Sequence, residues 1–143
     1  MGLLETISSQ AIQIDITPFI VAIIVGSAIG LEREIHGRPA GLRTHVLVCL
    51  SSTILIHASR LVSAAAEPGN VLEHYLYDPN RLGAGIVTGI GFLGAAAVIR
   101  SGDMVRGITT GACIWAVASL GVVIGQGHYA IALAGAASML IVL

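Results

Sequence analysis

Two short stretches hold most of the side chains able to do chemistry. The first, GLEREIHGRPAGLRT (residues 30–44), carries Glu32, Arg33, Glu34, Arg38, Arg43 and Thr44. The second, IRSGDMVRGITTG (99–111), carries Arg100, Arg106, Thr109 and Thr110. Arg43 and Arg106 each stand where an apolar run begins as a helix. A cation there opposes the helix macrodipole at a cost of about 0.3–1 kcal/mol, while free N–H groups at a helix start favour an anion. Two readings follow. In one, Glu32, Arg33, Arg38, Arg43, Thr44, Arg100, Arg106 and Thr110 make a single polar site on the cytoplasmic face, where ion pairs or a bound anion offset that cost. In the other, the arginines are topology anchors whose long side chains reach the lipid headgroups.

A second set lies within an apolar run. His45, Cys49, Thr53, His57 and Arg60 follow at steps of four, four, four and three, so they share one helical face. Such a stripe in a membrane helix turns into the bundle or toward a water-filled cavity. It therefore reads as interhelical hydrogen bonding or as a path for a small solute. His45 and Cys49 have the helical spacing of metal ligands, but two ligands make no structural zinc site, and no metal or other cofactor is expected. Cys49 and Cys113 both lie in apolar runs, toward the cytoplasmic half, and should be reduced and buried. Ser, His and acid come together in no recognisable catalytic order, and no Gly-rich phosphate loop ending in Lys-Ser/Thr is present. The chain does not read as an enzyme.

Composition supplies the scaffold for these residues. Hydrophobic residues make up 55% of the 143 and charged ones 10%, against about 25% charged in ordinary soluble domains. All seven basic residues are arginine and the net charge is -1, so there is no clustered basic surface for nucleic acid. The expected fold is an all-α integral membrane bundle. A hydrocarbon core of about 30 Å takes about 20 helical residues, and five short Gly-rich spans fit, at about 16–31, 42–65, 82–99, 105–125 and 129–143. Residues 1–15 read as an interfacial segment with Leu3, Leu4, Ile7 and Ala11 on one face. Pro68-Gly69-Asn70 and Asp78-Pro79-Asn80 mark turns, and Arg100 to Asp103 a tight hairpin. Arg33, Arg38, Arg43, Arg100 and Arg106 flank the first-to-second and third-to-fourth connections, so the positive-inside rule places the N-terminus outside. The pairs Gly26/Gly30, Gly85/Gly89, Gly107/Gly111 and Gly121/Gly125 suit close helix packing, within one chain or at a homodimer seam. None of the eight acidic residues lies inside a span. Magnesium prefers carboxylate oxygens, and proton-coupled carriers bury acids in the membrane, so neither a magnesium pump nor such a carrier is expected.

Three segments carry a family resemblance: GLEREIHGRPAGLRTHVLV (30–48), DPNRLGAGIVTGIGFLGAAAVIR (78–100) and VRGITTGACIWAVASLGVVIG (105–125). In order and spacing they resemble the MgtC/SapB family of bacterial inner-membrane proteins. Glu32, Arg33, Arg38, Gly41, Leu42, Arg43 and Thr44 match its first hairpin. Asp78, Arg81, Gly89, Gly91, Phe92, Gly94, Arg106, Thr110 and Trp115 match the later segments. Gly85, Ala96 and Gly111 depart from it, where Gln, Gly and Ala are usual. The resemblance implies a multi-pass inner-membrane domain of five spans, often followed by a small cytoplasmic domain that is expected to be absent or removed here. It further implies a non-enzymatic regulator supporting adaptation to low magnesium and intracellular survival. The partners it suggests are the lipid bilayer and a membrane protein, ATP synthase or a phosphate transporter, with a homodimer as a further option. A small channel or carrier for an ion or solute is the alternative.

Overall fold

The computed structural model describes residues 15–65, 78–101 and 104–143. Five helices and one small hairpin make up the described chain: α1 (Thr17–Ile35), α2 (Leu42–Ala65), α3 (Pro79–Ala96), β1 (Ile99–Ser101), β2 (Met104–Arg106), α4 (Ile108–Gly125) and α5 (Tyr129–Val142). Local chemistry sets the ends. Pro18 sits in the first turn of α1, where its missing N–H costs nothing, and the Thr17 N–H donates to Asp15 Oδ1 at 2.9 Å. Asp78 caps α3 by accepting from the Asn80 N–H at 2.8 Å, with Pro79 as the first helical residue. Gly37 and Gly107, at φ 62° and 88°, turn the chain where residues with a Cβ would be strained.

The packing is a three-helix centre of α1, α2 and α4, with α3 laid on α4 and α2, and α5 on α4 and α1. Glycine sets the closeness. A Cβ on Gly26 would stand 2.9 Å from Val46 Cα, and one on Gly30 would stand 2.8 Å from Leu42 Cα, so α1 touches α2 backbone to backbone. Gly121 and Gly125 do the same for α4 on α2, against the Cys49 carbonyl and Ile56, and Gly94 meets Gly111 between α3 and α4. Gly85, Gly89 and Gly91 of α3 have nothing within 4 Å among the described residues.

Polarity is distributed as for a lipid solvent. Phe92 is 79% exposed and Ile141 86%, while His45, Thr53, His57, Thr110 and Arg33 are buried. Interior polar groups beneath an apolar surface are the pattern of a membrane bundle. Among the described residues two helices are long and apolar enough to cross a membrane: Leu42–Ser63, with mean hydropathy 1.6, and Ile108–Gly125, with 1.9.

The all-α expectation needs one correction. Between α3 and α4 the chain forms an antiparallel ladder with Ile99 opposite Arg106, Arg100 opposite Val105 and Ser101 opposite Met104. α3 therefore stops at Ala96, three residues before the expected 99, and α4 begins at Ile108 instead of 105. The reason is steric. Gly107 lies so close to the Ala97 carbonyl that a Cβ has no room, and its left-handed backbone cannot continue a helix. α1 in turn runs four residues past the expected 31, to Ile35. The interfacial segment expected before Asp15 and the Pro68-Gly69-Asn70 turn lie outside the described residues.

Candidate functional site: two polar clefts at one end of the bundle

The C-terminal end of α1 and the starts of α2 and α4 meet at one end of the bundle, and the polar residues there fall into two clefts. The larger, of about 430 Å³, is lined by Arg33, Gly37, Arg38, Pro39, Arg106, Gly107, Thr109 and Thr110. The smaller, of about 330 Å³, is lined by Glu34, Gly41, Leu42, Arg43 and Thr44. Thus Arg33, Arg38, Arg106 and Thr110 are brought together, whereas Arg43 and Thr44 line a separate cleft. Glu32 lies beside the larger one, its Oε2 3.6 Å from Arg33 Nη1 and its Oε1 2.9 Å from His36 Nδ1. Arg100 is in β1 opposite Val105.

The two clefts differ in how their helix starts are satisfied. At α2 the Leu42 N–H donates to Glu34 Oε2 at 2.8 Å, and the same carboxylate packs over Gly41. That places an acid at the positive end of α2 and beside Arg43, so the chain itself offsets the cation at this helix start. At α4 Gly107 is the cap residue, and no side chain caps the helix. Its first N–H groups have no intrahelical partner, and among the described residues the nearest carboxylate is Glu32, beside the cleft and paired with Arg33.

Arg33 is the deepest member. Its side chain is 3% exposed, and its Nε has no hydrogen-bond partner among the described residues. A guanidinium cannot lose its charge by deprotonation, so a buried one is stable only when it is paired. At 3.6 Å the Glu32 carboxylate pairs with it as an ion, without a short hydrogen bond. The sequence placed Arg33 in the polar site but gave no sign that it is buried. Its role follows from its position one turn before Gly37, where α1 faces the start of α4.

The α2 stripe is a packing seam. The His45 Nδ1–H donates to the Gly41 carbonyl at 2.8 Å, Thr53 Oγ1 donates to the Gly121 carbonyl at 3.0 Å, and Arg60 Nη1 donates to the Gly125 carbonyl at 3.3 Å. Arg60 thereby meets the C-terminal end of α4, where a cation is favourable. Cys49 is fully buried, with its carbonyl against Gly121. His57 packs edge-on to Phe19, with ring centroids 5.5 Å apart, and neither of its ring nitrogens has a partner among the described residues. Cys49 and Cys113 are free and buried. Among the described residues no three His, Cys, Asp or Glu side chains cluster as metal ligands.

Comparison with known proteins gives the context for this geometry. Residues 19–143 match the MgtC family. Similar curated proteins include "Putative magnesium transporter YhiD" of Escherichia coli, 40% identical over 124 residues that cover 87% of this chain and 56% of that protein. "Protein SapB" of Bacillus subtilis is 40% identical over 112 residues, covering 76% of this chain and 46% of its own. "Protein MgtC" of Salmonella typhimurium is 39% identical over 115 residues, covering 80% and 45%. The chain spans about half the length of these curated relatives. No solved structure matches it.

Proposed function

The chain belongs to the MgtC family of membrane proteins, and from that premise we propose that it is a non-enzymatic regulator in the bacterial inner membrane, supporting adaptation to low magnesium and intracellular survival. It crosses the bilayer five times with its N-terminus outside, so the cleft end faces the cytoplasm. It acts by helix contacts with a membrane-protein partner, for which the family resemblance suggests ATP synthase or a phosphate transporter, and through the polar cleft.

The observation that carries this reading is the convergence of Arg33, Arg38, Arg106 and Thr110 on the uncapped start of α4. The magnesium connection rests on the name of the Escherichia coli relative. Support for regulation over transport comes from the α2 stripe, whose His45, Cys49 and Thr53 are enclosed by neighbouring helices.

That same name favours a second reading, a small carrier or channel for magnesium. Sealed vesicles containing the pure protein separate the two. A regulator alone leaves internal magnesium unchanged under an imposed gradient, and a protein-dependent influx overturns it. Topology is tested with reporters after Asn70 and Asp103. The second should be active only in its cytoplasmic form, and periplasmic activity there refutes the orientation.

A further inference from the structure

Three buried polar atoms on the facing ends of α1 and α2 have no hydrogen-bond partner among the described residues: Glu32 Oε2, Arg33 Nε and His45 Nε2. Packing draws them together. Glu32 Oε2 stands 3.6 Å from Arg33 Nη1. A Cβ on Gly30 would lie 3.1 Å from His45 Cβ, and Arg33 follows Gly30 on the same helical face. The His45 ring leans back toward the start of α2, where its Nδ1 lies 2.8 Å from the Gly41 carbonyl. It is within electrostatic reach of both Arg33 and Glu32.

Elementary chemistry assigns a role to each atom. A carbonyl only accepts, so His45 Nδ1 carries the proton, and in the neutral ring Nε2 is left as an acceptor. The Glu32 carboxylate oxygen also accepts, and the Arg33 Nε–H donates. The set is therefore one donor and two acceptors. A metal cation is opposed there by the charge of Arg33, and an anion by that of Glu32. A small neutral molecule that donates twice and accepts once answers all three. We propose that a single buried water bridges Glu32, Arg33 and His45 and so joins α1 to α2. Buried waters make about three hydrogen bonds to groups that otherwise go unpaired. Arg33 also lines the larger cleft of about 430 Å³, while a water takes about 30 Å³, so the molecule has a way in. The water belongs to the packing of the bundle, and it holds for a regulator and for a carrier alike.

The test is NMR of the full chain in lipid nanodiscs, isotope-labelled in its histidine rings. The His45 signals are identified as the set missing from His45→Gln. The native chain should show a protonated Nδ1, an unprotonated and hydrogen-bonded Nε2, and transfer of magnetisation from water to the ring Cδ2 proton. That proton neighbours Nε2 and is remote from the exchangeable Nδ1–H, so it reports a water and not the ring's own exchange. Glu32→Met keeps the side-chain length without the acceptor and should lose the transfer. Glu32→Gln keeps an oxygen there and should retain it. His57, about three turns further along α2, is the internal control, and its unchanged signals show an intact bundle. A native chain without transfer, or with a protonated Nε2, overturns the proposal, and neither result depends on a variant folding. Transfer that persists in folded Glu32→Met overturns it as well, because the water is then not held by Glu32.

Discussion

Gly121→Ala is the most direct probe of the fold. Gly121 lies directly against the Cys49 carbonyl and would place a new Cβ 2.8 Å from Ser52 Cβ. The first neighbour is backbone and cannot rotate aside, so α4 has to move away from α2. That movement also stretches the bond from Thr53 Oγ1 to the Gly121 carbonyl, now 3.0 Å. Overpacking costs about 1–3 kcal/mol, and an interhelical hydrogen bond in lipid contributes about 0.6 kcal/mol. Alanine returns about 0.8–1 kcal/mol over glycine as a helix former. The net expectation is a loss of about 2 kcal/mol. Gly89→Ala is the matched control, because nothing lies within 4 Å of Gly89 among the described residues, so only the helix-forming gain remains. The two variants should differ by about 3 kcal/mol, roughly a hundredfold in the unfolding constant. Unfolding in mixed micelles by added dodecyl sulfate, followed through the fluorescence of Trp115, the single tryptophan, reads the difference. An unchanged midpoint for Gly121→Ala refutes the backbone contact of α2 with α4. A fall for Gly89→Ala would show that this face of α3 is covered in solution, as a homodimer seam requires.

Three further outcomes are expected. Arg106→Lys, made singly and then with Arg38→Lys, should express normally yet fail to support growth at low magnesium, because Lys lacks the bidentate fork; Arg43→Lys should complement, because Glu34 already serves its helix start, and the reverse pattern refutes the separation of the two clefts. Cys49 and Cys113 should resist a membrane-impermeant maleimide in the native chain and both label after unfolding, since both are buried and unbridged; rapid native labelling contradicts the packing. The hydrogen bonds from Thr17 hold the exposed Asp15 carboxylate below the ordinary aspartate range, so their small contribution to the start of α1 is complete above the free-aspartate pKa and is lost only as pH falls through the depressed value. A carboxyl NMR titration of Asp15 at or above the free value removes that support.

Much of the fold was legible because lipid imposes strong rules on sequence. Helical period and apolar length located five helices to within a few residues, though Asp78-Pro79-Asn80, read as a turn before a span at 82, is the cap and first turn of α3. The four glycine pairs were legible as pairs but not as roles. Gly26/Gly30 and Gly121/Gly125 pack on α2, Gly111 packs on Gly94, Gly107 breaks the chain, and Gly85/Gly89 face nothing within 4 Å among the described residues. Identical spacing served different ends because the sequence does not say which face of a helix meets which neighbour. The reversal at Arg100 to Asp103 was read as a tight hairpin, but its β1–β2 ladder was missed for a related reason. Val98, Ile99, Val105 and Ile108 read equally well as strand or as membrane helix, and the choice is made by the crowding of Gly107 against Ala97.

The same limit shaped the reading of the site. From sequence, the two arginine-bearing hairpins repeat one theme, a cation at a helix start, and so invite a single compensating centre. What separates them is Glu34, which is also visible in the sequence but whose reach is not. It is the last acid of α1, and the reversal at Gly37 carries it back over Gly41, where it meets the Leu42 N–H at 2.8 Å. The carboxylate that the first helix start needs thus comes from eight residues upstream. The second hairpin has no counterpart among its described residues. Its strands place Ile99 opposite Arg106, and its turn ends at a glycine without a side chain to donate or accept. At the start of α4, Arg33 and Arg38 of the first hairpin converge with Arg106, and Glu32 lies beside them, 3.6 Å from Arg33. Like charges do not gather around an uncapped helix start to stabilise one another. Their convergence needs a negative group close by, and Glu32 beside Arg33 is one that the first hairpin itself brings.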